Sequence, residues 1–246
     1  MHIALYLQPA IGELTTMGLI LNIDTATENA GVCLAKAGVS LAQLENKDQK
    51  SHASFLQPAI KTLMEDAGFQ LSDLDAIAVT AGPGSYTGLR VGLSSAKGLC
   101  FALNKPLLLL NTLEVMATAY LSAHAEAADT FICPMIDARR MEVFTALYNT
   151  ELQEVTAPAA MILDANNFEK ELANHKIVFC GNGSPKWQPL VTSTHAVFST
   201  VQHKARHLAI LSWKAFEEKR FSDLAYSEPL YIKEFFTPGK PTLKGV

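Results

Sequence analysis

Residues 76–103 read AIAVTAGPGSYTGLRVGLSSAKGLCFAL, and the fold is decided by how this stretch is built. Ala76 to Thr80 is short, apolar and closed by turn residues, the mark of a strand inside a sheet. Gly82, Pro83, Gly84 and Ser85 then reverse the chain, with Ser85 or Thr87 placed to cap the helix that follows. Between Gly88 and Leu103 the only charged side chains are Arg90 and Lys97, seven residues apart and on one face. A helix so apolar is covered on most sides. Its interior glycines, Gly92 and Gly98, together cost roughly 2 kcal/mol relative to alanine, so a closely packed neighbour must offset them. Gly88, Gly92, Ser95 and Ala96 form a small-residue stripe with two possible uses, contact with the chain's own sheet or contact with another subunit. The interface expectation covers Ser85, Tyr86, Thr87, Gly88, Leu89, Arg90, Gly92, Leu93, Ser95, Ala96 and Lys97.

The bulk properties set limits on function. The 246 residues carry 49% hydrophobic and 18% charged side chains, with a net charge of −4 and a pI of 6.0. That is enough chain for a full core in one large or two modest domains. The acidic balance builds no broad phosphate-binding surface, which excludes strong unaided binding of nucleic acid. Cys33, Cys100, Cys133 and Cys180 lie far apart in apolar runs, without metal-type spacing, and read as reduced core residues of a cytoplasmic protein. The opening MHIALYLQPAIGELTT lacks the basic start of a secretory signal, and no run reaches membrane-spanning length. The periodic pattern begins at Leu19, so residues 1–16 are read as an N-terminal extension and Met17 as an alternative start.

Leu19 to Ile23 is a strand ending in Asp24, followed by the turn TATEN, the strand Gly31 to Ala35 and the strand Val39 to Leu44. Ser51 opens a helix with Leu56, Ile60, Leu63 and Ala67 on one face, and Gly68 ends it. After the organising strand and helix come a strand, Pro106 to Leu110, and a helix from Thr112. Phe131 to Ile136 then repeats the opening theme: a strand reaching Asp137, a turn ARR, and the strand Glu142 to Tyr148. LNIDTATENAGVCLA (21–35) and PMIDARRMEVFTALY (134–148) share this strand, Asp, turn, strand order, which suggests two related half-structures. Asn149 to Ala157 reads as a loose connection, Asp164 to Asn174 as a short helix, and Ile177 to Cys180 as a strand entering the loop Gly181-Asn182-Gly183-Ser184. A helix from His203 to Lys219 closes the second half. The expected organisation is α/β in two lobes, 17–110 and 111–236, followed by a flexible tail, 237–246.

Few motifs point directly to catalysis. Gly82-x-Gly84-x-x-x-Gly88 is one residue longer than the dinucleotide fingerprint, and no GK[ST] makes a P-loop. Ser85 is not in a G-x-S-x-G elbow. His203 and His207 stand one helical turn apart with no third ligand nearby and with Lys204 and Arg206 around them, so they read as a solvent-facing pair. His52 is placed for a cap or a partner contact. Asp24 and Asp137 sit at the mouths of strand turns, where a carboxylate holds hydrated Mg²⁺ or simply accepts turn amides.

Five stretches, ILNIDTATENAGVCLA (20–35), AGPGSYTGLRVGLSSAKGLCFALNKPLLLLNTLE (81–114), PMIDARRMEVFTALY, the GNGS loop and SEPLYIKEFF (227–236), together resemble the bacterial TsaB (YeaZ) family of tRNA threonylcarbamoyladenosine biosynthesis proteins. The resemblance implies an actin-like, sugar-kinase-like fold of two related lobes. It implies pairing with the catalytic paralogue TsaD and the ATPase TsaE to modify the adenosine beside the tRNA anticodon, with a homodimer when alone. Nucleotide-hydrolysing members of this fold carry an Asp-x-Gly turn. Here the turns are Asp24-Thr25-Ala26 and Asp137-Ala138-Arg139, which makes Asp24, Thr25 and Asp137 a nucleotide-site remnant. The paralogue's metal-binding H-x-x-x-H lies in its first lobe, whereas His203 and His207 lie in the second half. The resemblance therefore implies a noncatalytic scaffold subunit without a cofactor of its own, ATP and metal belonging to the partners and tRNA being bound through the complex. The rivals are an actin-like ATPase or kinase using Asp24 and the Ser85 loop, and a peptidase, for which no nucleophile or metal triad is present.

Overall fold

Strand β1 (Leu19–Asp24) is buried along its whole length, and its alternating side chains meet two different layers. In the computed structural model, which describes residues 18–47 and 51–233, Leu19, Leu21 and Ile23 face α1 (His52–Ala67) and α2 (Tyr86–Leu103), joining Leu56, Ile60, Leu63, Leu93 and Ala96 in one cluster. Ile20 points the other way, to Leu208 and Leu211 of α6 (Ala205–Glu217). The two-residue period of a strand therefore places Asn22 and Asp24 on the α6 side as well. Small residues of β2 (Ala30–Lys36) let α6 come close: Cys33 and Ala35 pack on Ala205 and Ala209.

The first sheet runs β3-β2-β1-β4-β5 with β3 (Val39–Asn46), β4 (Ala76–Gly82) and β5 (Leu107–Asn111). β1 to β3 form an antiparallel meander, and β4 and β5 add in parallel. The second sheet repeats this plan. β6 (Phe131–Asp137), β7 (Glu142–Tyr148) and β8 (Glu154–Ile162) make the meander, while β9 (Ile177–Cys180) and β10 (Ala196–Ser199) add in parallel. Identical strand order in both halves is the two-lobed actin-like architecture expected from the repeated strand, Asp, turn unit. Helix α3 (Thr112–Leu121) covers one face of the second sheet through Leu113, Met116 and Tyr120. On the opposite face Phe168, Phe179 and Trp187 meet edge-on or tilted in an aromatic cluster beside α4 (Glu169–Leu172) and α5 (Ser184–Trp187).

Three readings of the second half are corrected. The helix expected to close it, α6, packs on β1, β2 and β3 of the first sheet and on α3. Its apolar stripe of Ala205, Leu208, Ala209, Leu211 and Ala215 fits the smooth face that β2 and β4 present. The connection Asn149–Ala157 runs into the strand β8, whose exposed edge position and Pro158 hide its period. The helix expected over Asp164–Asn174 is one turn, Glu169–Leu172. After α6 the chain crosses the first lobe: Ser222 N–H donates to Leu107 O and Leu230 N–H to Ala81 O. The N-terminal extension 1–16, the alternative start Met17 and the tail 237–246 lie outside the described residues. No helix among the described residues is long and apolar enough to cross a membrane.

Candidate functional site

The turn after β1 lies on the N-terminus of α2, and the glycines of the organising stretch exist to let it do so. Thr25 Oγ1 donates to Gly88 O at 2.7 Å, and Ser85 N–H donates to Ala26 O at 2.7 Å. A Cβ on Gly84 would stand 2.2 Å from Ala26 O, one on Gly88 2.0 Å from Thr25 O, and one on Gly92 2.3 Å from Thr25 Oγ1. No side chain fits the gaps at Gly84 and Gly88, which backbone oxygens set, and at Gly92 the Thr25 hydroxyl would have to turn away. Ser85 caps the helix, its Oγ accepting from Gly88 N–H at 3.3 Å. Gly82, with φ of +121°, accommodates the crossing backbone at Leu230.

The small-residue stripe thus faces inward, which corrects part of the interface expectation. Gly88, Leu89, Gly92, Leu93 and Ala96 are buried in the chain's own core. Ser95 and Lys97 are half-buried, and Lys97 Nζ donates to Ala225 O and Ser227 O. Arg90 lies 3.8 Å over the Tyr86 ring, with Nε donating to Tyr231 Oη at 2.9 Å. The two cations of α2, together on one face as their spacing requires, hold the C-terminal crossing segment. The side of α2 open to solvent carries Thr87, Arg90, Ser94, Gly98, Phe101 and Ala102. Gly98 has open space beyond it, and Phe101 is 82% exposed.

Asp24 does not look into open space. Its Oδ1 accepts from Thr80 Oγ1 at 2.9 Å and from Ala26 N–H at 3.1 Å, and its Oδ2 lies 3.2 Å from His203 Nε2. Both side chains are buried. The angle at His203 falls outside a hydrogen bond, so the contact is primarily an ion pair. Burial opposes the charge on Asp24, yet the His203 cation and the hydrogen bonds hold the carboxyl below its usual range. Burial likewise opposes protonation of His203, and the Asp24 charge outweighs it and raises the imidazole. His207 goes the other way. Burial, then the charges of Arg206, His203 and Lys204, push it down to about 4, and its Nδ1 accepts from Lys204 N–H at 2.9 Å. The solvent-facing histidine pair expected from the sequence is therefore corrected: both are buried, His203 against Asp24 at the end of β1 and His207 in the first turn of α6 beside Lys204 and Arg206. His52 is buried with Nε2 3.2 Å from Glu28 O, a contact to the same turn.

Asp137, the second remnant acid, is exposed and engaged at the start of its own turn. Its Oδ1 accepts from Arg139 N–H at 2.6 Å and pairs with Lys186 Nζ. Asn182 joins the two turns, with Oδ1 accepting from Asp137 N–H at 2.9 Å and Nδ2 donating to Glu28 Oε2 at 2.7 Å. Between the turns lies an open cleft of about 630 Å³, bordered by Ala26–Glu28, Gly84–Thr87 and Ile136–Arg139. The structure brings Thr25, Ser85 and Gly88 together, with Asp24 turned away beneath them and Asp137 across the cleft. Among the described residues no group of three His, Cys, Asp or Glu is placed to hold a metal ion. Burial pushes the thiols of Cys33 and Cys180 up to about 12 and that of Cys100 to about 11, which leaves them unreactive. Sequence reasoning missed Thr80 and His203 as partners of Asp24. The strand period signals Thr80, which shares a face with Ala76 and Ala78; His203, 179 residues from Asp24, has no local signal.

The family model described as tRNA N6-adenosine threonylcarbamoyltransferase, TsaD, matches residues 41–234. The tRNA threonylcarbamoyladenosine biosynthesis protein TsaB of Bacillus subtilis is 30% identical over 220 residues, covering 87% of this chain and 93% of that protein. TsaB of Escherichia coli is 27% identical over 221 residues, covering 87% and 94%. A crystal structure from Pseudomonas aeruginosa, described as similar to peptidase YEAZ, superposes with a TM-score of 0.78 at 26% identity, covering 88% of this chain and all of that one.

Proposed function

From the premise that the chain belongs to the TsaB (YeaZ) family, we propose that it is a noncatalytic subunit of the cytoplasmic machinery that forms N6-threonylcarbamoyladenosine on tRNA. In this reading it assembles with the catalytic subunit TsaD and the ATPase TsaE, and with a second copy of itself when they are absent. The observation that carries the reading is the Asp24–His203 pair. An actin-like nucleotide site needs its first acid free for hydrated Mg²⁺ and a glycine beside it for the phosphate to approach. Here a buried imidazolium neutralises the acid, and Thr25 and Ala26 fill the place of that glycine against α2. The family-model match to TsaD supports a paralogous partner, since two-lobed paralogues present equivalent helices to each other.

The partner-facing surface is the outer side of α2 beyond Arg90, where Ser94, Gly98, Phe101 and Ala102 are exposed. Its small residues admit a close helix, and Phe101 supplies apolar area at the end. Steady-state phosphate release from ATP by the isolated chain tests the noncatalytic claim. The expected result is background release in wild type and in Asp24→Ala alike, with tRNA modification restored only when TsaD and TsaE are added. Turnover by the isolated chain that disappears in Asp24→Ala would overturn it.

A further inference from the structure

The β6–β7 turn carries two adjacent arginines on a backbone that ordinary residues avoid. Arg139 has φ of +70° and Arg140 of +49°, a region where Asn and Gly are the usual occupants. Both side chains are exposed. Neighbouring cations are neutralised, Lys186 by Asp137 and Lys233 by Glu142, but neither arginine enters an ion pair among the described residues. An acidic chain with net charge −4 thus exposes two consecutive arginines that lack an ion-pair partner among the described residues, Arg139 on the rim of its cleft and Arg140 next to it in the turn. Arg139 borders that cleft from the second lobe and Tyr86 from the first. Tyr86 belongs to a cluster with Arg90 and Tyr231, its ring centroid 5.4 Å from that of Tyr231. Tyr231 is 38% exposed.

We propose that this mouth is an RNA contact: Arg139 and Arg140 take consecutive phosphates of the strand, and the Tyr86–Arg90–Tyr231 cluster offers a stacking surface for an unpaired base. Phosphates attract exposed arginines, and aromatic rings beside a cationic groove accept bases without regard to sequence. A free nucleoside triphosphate is the poorer occupant, because its Mg²⁺ would need the acid that His203 already neutralises. The choice of tRNA as the strand rests on the function proposed above.

The test is fluorescence anisotropy of a labelled anticodon stem-loop RNA with the purified full chain, titrated between about 50 and 200 mM salt. Wild type should bind in the range of about 10⁻⁶ to 10⁻⁴ M, as sequence-independent contacts do. Arg139→Gln/Arg140→Gln should lower the slope of log affinity against log salt by about 1.4, so that affinity falls about sevenfold less across that range. The charge-matched control Lys61→Gln/Lys170→Gln should keep the wild-type slope, and all three proteins should melt alike. An unchanged slope in the arginine variant overturns the proposal. So does release of the RNA from wild type by ATP at equal phosphate concentration, which would make the mouth a nucleotide site. The assay needs neither TsaD nor modification activity, so its failure leaves the subunit reading standing, and failure of reconstitution leaves the RNA contact standing.

Discussion

Replacing Gly92 and Gly98 separately by alanine distinguishes the inner from the outer face of α2. Both substitutions remove a helix-interior glycine and gain about 1 kcal/mol of helix propensity. At Gly98 nothing lies within 4 Å of the new methyl group, so the gain is kept and Tm should rise by about 2–4 °C for a chain of this length. At Gly92 the methyl would meet Thr25 Oγ1 at 2.3 Å and Val79 Cγ2 at 3.3 Å. Turning the Thr25 hydroxyl away forfeits its bond to Gly88 O, worth about 1 kcal/mol, and overpacking brings the cost to about 2–3 kcal/mol. The net loss of about 1–2 kcal/mol should lower Tm by about 2–8 °C. Calorimetry measures all of this, and Thr25→Ala/Gly92→Ala supplies the control. Removing Oγ1 opens the space, so the double variant should be more stable than the sum of the singles by about 1 kcal/mol or more. Gly92→Ala as stable as Gly98→Ala, or strict additivity with Thr25→Ala, would refute the inward placement of the stripe.

Three further outcomes follow from the site. His203→Ala leaves the Asp24 charge buried without its counter-ion and should cost about 3–5 kcal/mol in urea unfolding, with much of the loss recovered by Asp24→Asn in the same chain. Stability should depend on pH in two windows. The raised pKa of His203 gives stability that is complete below the unfolded value near 6.5 and is lost as pH climbs through the folded value. The lowered pKa of His207 means that the unfolded state binds more protons between about 4 and 6.5, so stability falls as pH drops through that range. Urea midpoints should lose their alkaline decline in His203→Gln and have a shallower acid decline in His207→Gln; unchanged profiles would contradict the assignments. Phe101→Glu on the outer face should keep the wild-type Tm within about 1–2 °C, yet abolish co-elution with TsaD; unimpaired co-elution would remove that face from the interface.

The elements were legible because their periods are clear. The apolar run from Leu19 to Ile23, the spacing of Leu56, Ile60 and Leu63, and the caps at Ser85 and Gly68 all recur in the structure. Orientation was not legible where two neighbours satisfy one pattern. A stripe of Gly88, Gly92 and Ala96 admits a close backbone equally well from within the chain or from another copy, and only the position of Thr25 decides. His203 and His207 looked like surface residues because Lys204 and Arg206 flank them. The helix that follows His203, however, repeats Ala205, Leu208, Ala209 and Ser212 on one side, and docking that stripe on the first sheet buries His207 in its first turn and His203 just before it. The role of Asp24 was visible only as a carboxylate at a strand end. Its neutralising partner comes from the far end of the chain, beyond the reach of any local pattern.

The return of α6 to the first sheet has a consequence for how the protein is made. The last strand of that sheet ends at Asn111, but the helix that shields Ile20, Ala76, Ala78 and Leu108 ends only at Glu217. At about 5–20 residues per second of synthesis, the emerging N-terminal half spends roughly 5–20 s with this apolar face bare. During that interval it is a substrate for chaperones and a target for aggregation, and the second lobe must be translated before the first can finish folding. Translation stalled between the two lobes would therefore yield a sticky fragment, however well its five strands pair.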